Sequence, residues 1–185
     1  MKVPPELADP PGGPARAVLA LGSNLGDRRT VLQSALDALG GYEGNRVIAV
    51  SSLVETAPVG GPPQSDYLNA VALVDTLLAP LDLLAACQQI EHDHARRRTE
   101  HWGPRTLDLD VIAYNDVVAA STQLEVPHPR AAERAFVLAP WSEVDPEATL
   151  PGPDGEPVAV RKLLRRAADR KGVRPSGLEP LVVPR

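Results

Sequence analysis

Apolar and polar positions along this chain change rhythm repeatedly, and each rhythm predicts an element. Residues 17–21, Ala-Val-Leu-Ala-Leu, read as a short buried strand. Residues 22–27 are a turn whose Ser, Asn and Asp can cap the helix that follows. Leu32, Ala35, Leu36 and Leu39 recur at helical spacing, and Gly40-Gly41 stops that helix. Residues 47–53 form a second strand and 67–74 a third. Between them, 56–65 is a loop, punctuated by Pro58, Gly60, Gly61, Pro62 and Pro63. Pro80 suits the first position of a second helix, which Leu81, Leu84, Cys87, Gln88 and Glu91 continue. Residues 95–104 are basic and unpatterned, and 107–113 form a fourth strand.

The order β-α-β-β-α-β predicts an α+β fold of the ferredoxin-like type, an antiparallel sheet with both helices packed on one face. Residues 116–150 add only short elements, and 156–170 read as one late helix. Residues 1–15 are expected to be a flexible tail, because Pro4, Pro5, Pro10, Pro11 and Pro14 deny them helix and sheet pairing. A single domain then runs over 16–170, and 171–185 are expected to fray.

Composition narrows the function. At 185 residues, 43% hydrophobic and 23% charged, the chain suits one globular domain. A net charge of −5 argues against a dedicated nucleic-acid binder. The single cysteine, Cys87, excludes an intrachain disulfide framework and a cysteine-based zinc site; its helical position predicts core packing. No apolar run is long enough to span a membrane, and the proline-rich start is no signal peptide. A cytoplasmic monomer is expected.

The densest chemistry is Trp102-Gly-Pro-Arg-Thr-Leu-Asp-Leu-Asp110. On a strand, Asp108 and Asp110 share one face while Leu107, Leu109 and Val111 take the other. Two carboxylates about 7 Å apart at Cα can converge on a hard cation. Arg96, Arg97, Arg98 and Arg105 precede them. Carboxylates for magnesium beside arginines for phosphate are the equipment of phosphoryl transfer. A plain polar strand face, salt-bridged to those arginines, is the alternative. His92 and His94 are two apart on a helix and make a poor zinc pair. Arg161, Lys162, Arg165, Arg166 and Arg170 read as a solvated helix face.

The stretch from Trp102 to Asp110 resembles the signature of the 6-hydroxymethyl-7,8-dihydropterin pyrophosphokinase family of folate biosynthesis. Further blocks are similar in the same order: Ala20-Leu-Gly-Ser-Asn-Leu-Gly-Asp-Arg28, Ser51-Ser-Leu-Val-Glu-Thr-Ala-Pro-Val-Gly60, Asp66-Tyr-Leu-Asn-Ala70, Val126-Pro-His-Pro-Arg130 and Arg134-Ala-Phe-Val-Leu138. The resemblance covers about residues 16 to 150 and implies the same ferredoxin-like fold. It implies that the hydroxymethyl oxygen of the pterin attacks the β-phosphorus of ATP and AMP leaves. Two magnesium ions would be held by Asp108 and Asp110, with Arg96 and Arg98 as further catalytic residues. Thr56, Val59, Tyr67, Asn69, Trp102 and Phe136 match pterin contacts, Tyr67 and Phe136 as the stacking pair. Gln88, Glu91, Arg96, Arg98, Arg105, Val111, His128 and Arg134 match the ATP side. For Gln88 and Glu91 the plain alternative is helix surface, and for Phe136 core filling. Ala57, Ala95, Thr99 and His101 depart from the family pattern, which bears on loop motion and not on the reaction.

Two rivals remain at this point. Another magnesium-dependent nucleotide transferase would use the same Asp-x-Asp pattern. A non-catalytic RNA-binding module of the same fold would want exposed aromatics and positive charge, and aromatics are only 3% here.

Overall fold

Elements form where a uniform side-chain rhythm lets a segment bury one face. The computed structural model describes residues 3–58, 63–94 and 106–185. In chain order come α1 (Pro5–Ala8), β1 (Ala15–Ser23), α2 (Arg28–Gly41), β2 (Asn45–Val50), β3 (Val54–Thr56) and β4 (Tyr67–Thr76). Then follow α3 (Pro80–Asp93), β5 (Asp108–Tyr114), a small hairpin of β6 (Ala119–Ala120) and β7 (Glu125–Val126), and α4 (Ala135–Val144). A second hairpin, β8 (Thr149–Pro151) with β9 (Pro157–Ala159), leads into α5 (Val160–Arg166) and β10 (Arg174–Pro175).

Leu32, Ala35, Leu36 and Leu39 of α2 are all fully buried, as their spacing predicts. Asp27 caps that helix by accepting from the Thr30 N–H at 3.2 Å, and Pro80 opens α3. β4 pairs antiparallel with β1 on one side, and with β3 and then β2 along the other. β5 pairs antiparallel with the outer side of β1. The order β2/β3–β4–β1–β5 is that of the ferredoxin-like sheet. The strand expected over 47–53 ends at Val50, and at Ser51 a side-chain hydroxyl takes part in the pairing with β4. The Ser51 Oγ accepts from the Val71 N–H at 3.0 Å, while its own N–H donates to Val71 O at 2.9 Å.

The two faces of the sheet are covered differently. Leu19, Leu21 and Val111 pack against Leu36 of α2 and Leu83 and Ile90 of α3. On the opposite face, Val18, Val71 and Ile112 pack against Val137, Leu138 and Trp141 of α4. The expectation of only short elements over 116–150 is therefore corrected. Pro140 inside α4 masks a helical spacing that Val137, Leu138 and Trp141 carry.

Both tails also differ from expectation. Pro5 starts a helical turn that buries Leu7 completely. The late helix is only α5, because Pro157 and its neighbours pair as β9 instead. The segment expected to fray runs back across the sheet edge. β10 pairs with β3, Leu181 is buried at 5% exposure, and Gln33 exchanges hydrogen bonds with the Val182 backbone at 2.9 and 2.8 Å. Among the described residues no helix is long and apolar enough to cross a membrane.

Candidate active site

On the face that α4 covers, each strand changes character where the helix stops. β5 runs from Ile112 to Asp110 and Asp108, β4 from Val71 to Asn69 and Tyr67, and β1 from Val18 to Ala20 and Gly22. Apolar residues lie under α4, and small or polar residues lie beyond it. The uncovered end of the sheet is the floor of a cleft of about 1190 Å³. That is somewhat above the roughly 300–1,000 Å³ of an ordinary one-ligand pocket.

Strand register sets the floor. Asn69, Gly22 and Asp108 stand in one row across β4, β1 and β5, and Val71, Ala20 and Asp110 in the next. Glycine at position 22 leaves room here, since a Cβ would stand a tight 3.2 Å from Asn69 Oδ1. The Asn69 amide donates to Thr56 Oγ1 at 2.9 Å, fixing which way the carboxamide points. Asn24, just past β1, donates to Gln64 Oε1 at 2.8 Å and ties that turn to the segment entering β4.

The cationic side gathers near Asp110. Arg134 begins α4 and places Nη1 3.8 Å from Asp110 Oδ2, with its Cζ 5.6 Å from the centre of the Phe136 ring. The His128 N–H donates to Ile112 O at 2.7 Å, which anchors this residue beside β5. Burial first, and the nearby Arg134 charge second, lower the His128 pKa from its ordinary value. His128 Nδ1 accepts from the Arg130 N–H at 3.1 Å, so neutral His128 carries its proton on Nε2.

Glu91 was read from sequence as a nucleotide contact or helix surface, and its place is more specific. It is 3% exposed, and its Oε1 accepts from the Leu109 N–H at 2.8 Å. Glu91 thereby holds the outer edge of β5 between the two aspartates. Its position four residues after Cys87, on the buried stripe of α3, was the available signal. Asp108 and Asp110 offer only carboxylate oxygen, which suits magnesium or another hard cation. Among the described residues no third His, Cys, Asp or Glu joins them. Substrate oxygens and water would complete such an ion, as magnesium sites commonly arrange.

The model of the 7,8-dihydro-6-hydroxymethylpterin-pyrophosphokinase family matches residues 18–146. The chain belongs to this family. A Bacillus subtilis 2-amino-4-hydroxy-6-hydroxymethyldihydropteridine pyrophosphokinase is 46% identical over 150 residues, covering 79% of this chain and 90% of that one. The Methylorubrum extorquens protein of the same name is 39% identical over 164 residues, covering 89% of this chain and 97% of that one. Among solved structures, a Plasmodium falciparum HPPK-DHPS crystallised with pterin and p-hydroxybenzoate has a TM-score of 0.64 at 18% identity. It covers 83% of this chain, and the chain spans 43% of that longer one. That likeness supports the fold.

For this member of the pyrophosphokinase family, the cleft brings together Thr56, Tyr67, Asn69, Gln88, Glu91, Asp108, Asp110, His128, Arg134 and Phe136. The Val111 side chain is not among them; it is 3% exposed in the core on the α2 and α3 face of the sheet. Strand alternation requires that, because its neighbour Asp110 faces the cleft. Val59, Arg96, Arg98, Trp102 and Arg105 lie outside the described residues. Cys87 is fully buried, and burial, then Asp110, push its thiol pKa up to about 12, as befits a core residue. His94 bonds Ile90 O and Ser34, and makes no pair with His92. Arg161, Lys162, Arg165, Arg166 and Arg170 are exposed as expected, with Arg166 also lining the cleft. Gly22, read from sequence as part of a turn, and Arg166, read as solvated helix surface, both line the cleft as well.

Proposed function

We propose that the cleft transfers the diphosphate of ATP to the hydroxymethyl group of 6-hydroxymethyl-7,8-dihydropterin, releasing AMP. Asp108 and Asp110 carry this reading: they line one continuous cleft together with Tyr67, Asn69, Thr56, His128 and Arg134. The family and its named relatives support the same reaction.

The residues divide the work. Tyr67 and Phe136 take the two faces of the flat pterin, which needs walls about 7 Å apart, or two van der Waals contacts. Asn69 and Thr56 hydrogen-bond the ring edge. Asp108 and Asp110 would hold magnesium, two ions in this reading, which would supply charge neutralisation for the triphosphate. Arg134 and the Nε2–H of His128 bind phosphate oxygens. Arg96, Arg98 and Arg105 add charge from the preceding segment, and Trp102 and Val59 add pterin contacts, on the strength of the sequence resemblance. No side chain needs to act as a nucleophile, because the pterin hydroxyl attacks directly. The enzyme works as a cytoplasmic monomer in this reading, and the −5 charge leaves nucleic acid out of it.

The deciding test is incubation with ATP, magnesium and the pterin, followed by nucleotide separation. AMP and a pterin diphosphate are expected. Release of inorganic diphosphate would indicate nucleotidyl transfer instead and overturn the proposal.

A further inference from the structure

Phe136 sits in the first turn of α4, and its own N-cap residue, Arg134, supplies no side-chain cap. The cap comes from far along the chain. Both carboxylate oxygens of Asp169 accept from the Ala135 N–H, each at 3.1 Å. An acidic group at a helix N-terminus also meets the favourable end of the helix dipole. A few residues later the same segment is tied to the opposite wall. Arg174 pairs with Glu55 and Pro175 with Val54 across β10 and β3, and the Ser176 N–H donates to Leu53 O at 3.1 Å. Arg174 also forms an ion pair with Asp66, the residue before Tyr67. Arg28 holds the Asp66 carbonyl from behind at 2.8 Å. Between these anchors runs a 3₁₀ turn, Arg170–Gly172, whose Gly172 lines the cleft.

We infer that residues 169–176 form a brace that sets the gap between the Phe136 wall and the Tyr67 wall, with Asp169 and Arg174 as positioning residues. The segment lies beyond the stretch that the family model matches, which ends at residue 146. The inference rests on the pterin reading of that gap. A stacked ring gains only if both walls are already in place, so slack in the brace weakens pterin binding more than ATP binding.

The experiment compares wild type, Asp169→Ala, Asp169→Asn and a chain with Gly-Ser-Gly inserted between Val173 and Arg174. The insertion keeps both anchors and adds about 10 Å of slack. Dissociation constants for the pterin and for a non-hydrolysable ATP analogue are measured by calorimetry, with KM, kcat and melting temperature alongside. Asp169→Ala and the insertion should each weaken pterin binding roughly fivefold or more, the scale of one lost cap, and change the ATP analogue less than about twofold. Asp169→Asn, which keeps an acceptor oxygen, should recover most of the loss. If the insertion leaves pterin binding unchanged, or weakens both ligands alike, the brace is refuted. Wild type that binds the pterin but forms no AMP overturns the functional reading and leaves the brace to be decided by the binding constants.

Discussion

Replacing Glu91 by alanine removes the carboxylate that accepts from the Leu109 N–H at 2.8 Å, in a site where Leu109 is 4% exposed. A buried N–H left without its partner costs about 1–3 kcal/mol, and the upper half of that range applies to a carboxylate acceptor. At about 2 kcal/mol, and ~2–4 °C of melting temperature per kcal/mol for a domain of this size, Glu91→Ala should melt about 4–8 °C lower. Because Leu109 lies between Asp108 and Asp110, a shift of β5 also moves the two proposed metal ligands. Misplacement of that kind by an ångström can cost on the order of 100-fold in rate. The assay is thermal unfolding by circular dichroism together with turnover as a function of magnesium. Glu91→Ala should need more magnesium for half-maximal rate, and Glu91→Gln, which keeps an acceptor oxygen, should regain most of both properties. An alanine variant with unchanged melting temperature and unchanged magnesium dependence would refute the reasoning. The cost of burying the carboxylate would then equal what its bond contributes, and β5 would hold its shape unaided.

Other outcomes follow from the same geometry. Asp108→Asn and Asp110→Asn should each lower turnover by roughly 100-fold or more with melting temperature preserved, since a lost metal ligand removes charge stabilisation and not core packing; steady-state assays on the folded variants check this. Phe136→Ala should weaken pterin binding by about 1–3 kcal/mol while a non-hydrolysable ATP analogue binds as before, by calorimetric titration. His128 should titrate below the ordinary histidine value of about 6.5 in the native chain, by proton NMR. The unfolded chain then binds more protons than the native one, so this histidine's contribution is intact above the unfolded value and is lost as pH falls through the depressed native value. Urea unfolding across that window should show the loss in wild type and not in His128→Gln. Cys87, fully buried and with its thiol pushed up to about 12, should resist a disulfide reagent in the native state and react in urea.

Local rhythm was enough for the parts of this protein that depend on near neighbours in sequence. The spacing of Leu32, Ala35, Leu36 and Leu39 required a helix with one buried stripe, and the alternation at Leu107, Asp108, Leu109 and Asp110 required two carboxylates on one face. The order of those elements implied the sheet, because few chain paths connect them without crossing. The motifs around Tyr67, Asp110, His128 and Phe136 named a family, and the cleft joins their side chains. Strand alternation turns the Val111 side chain into the core, so only its backbone could face a ligand. Glu91 lay on the buried stripe of α3, yet its bond to β5 depends on how α3 is set against the sheet edge. Gly22 is a bare patch only because Asn69 and Asp108 flank it in register. Proline content suggested a loose first segment because it speaks of the free chain, whereas Leu7 there, and Leu181 in the last segment, are buried against the apolar surface that the rest of the fold offers them. Asp169 lies 34 residues from the helix end that it caps, and no periodicity joins the two. Patterns along a chain encode which side of an element avoids water. Which distant group supplies a missing hydrogen bond is settled only when the packed elements bring donor and acceptor within reach.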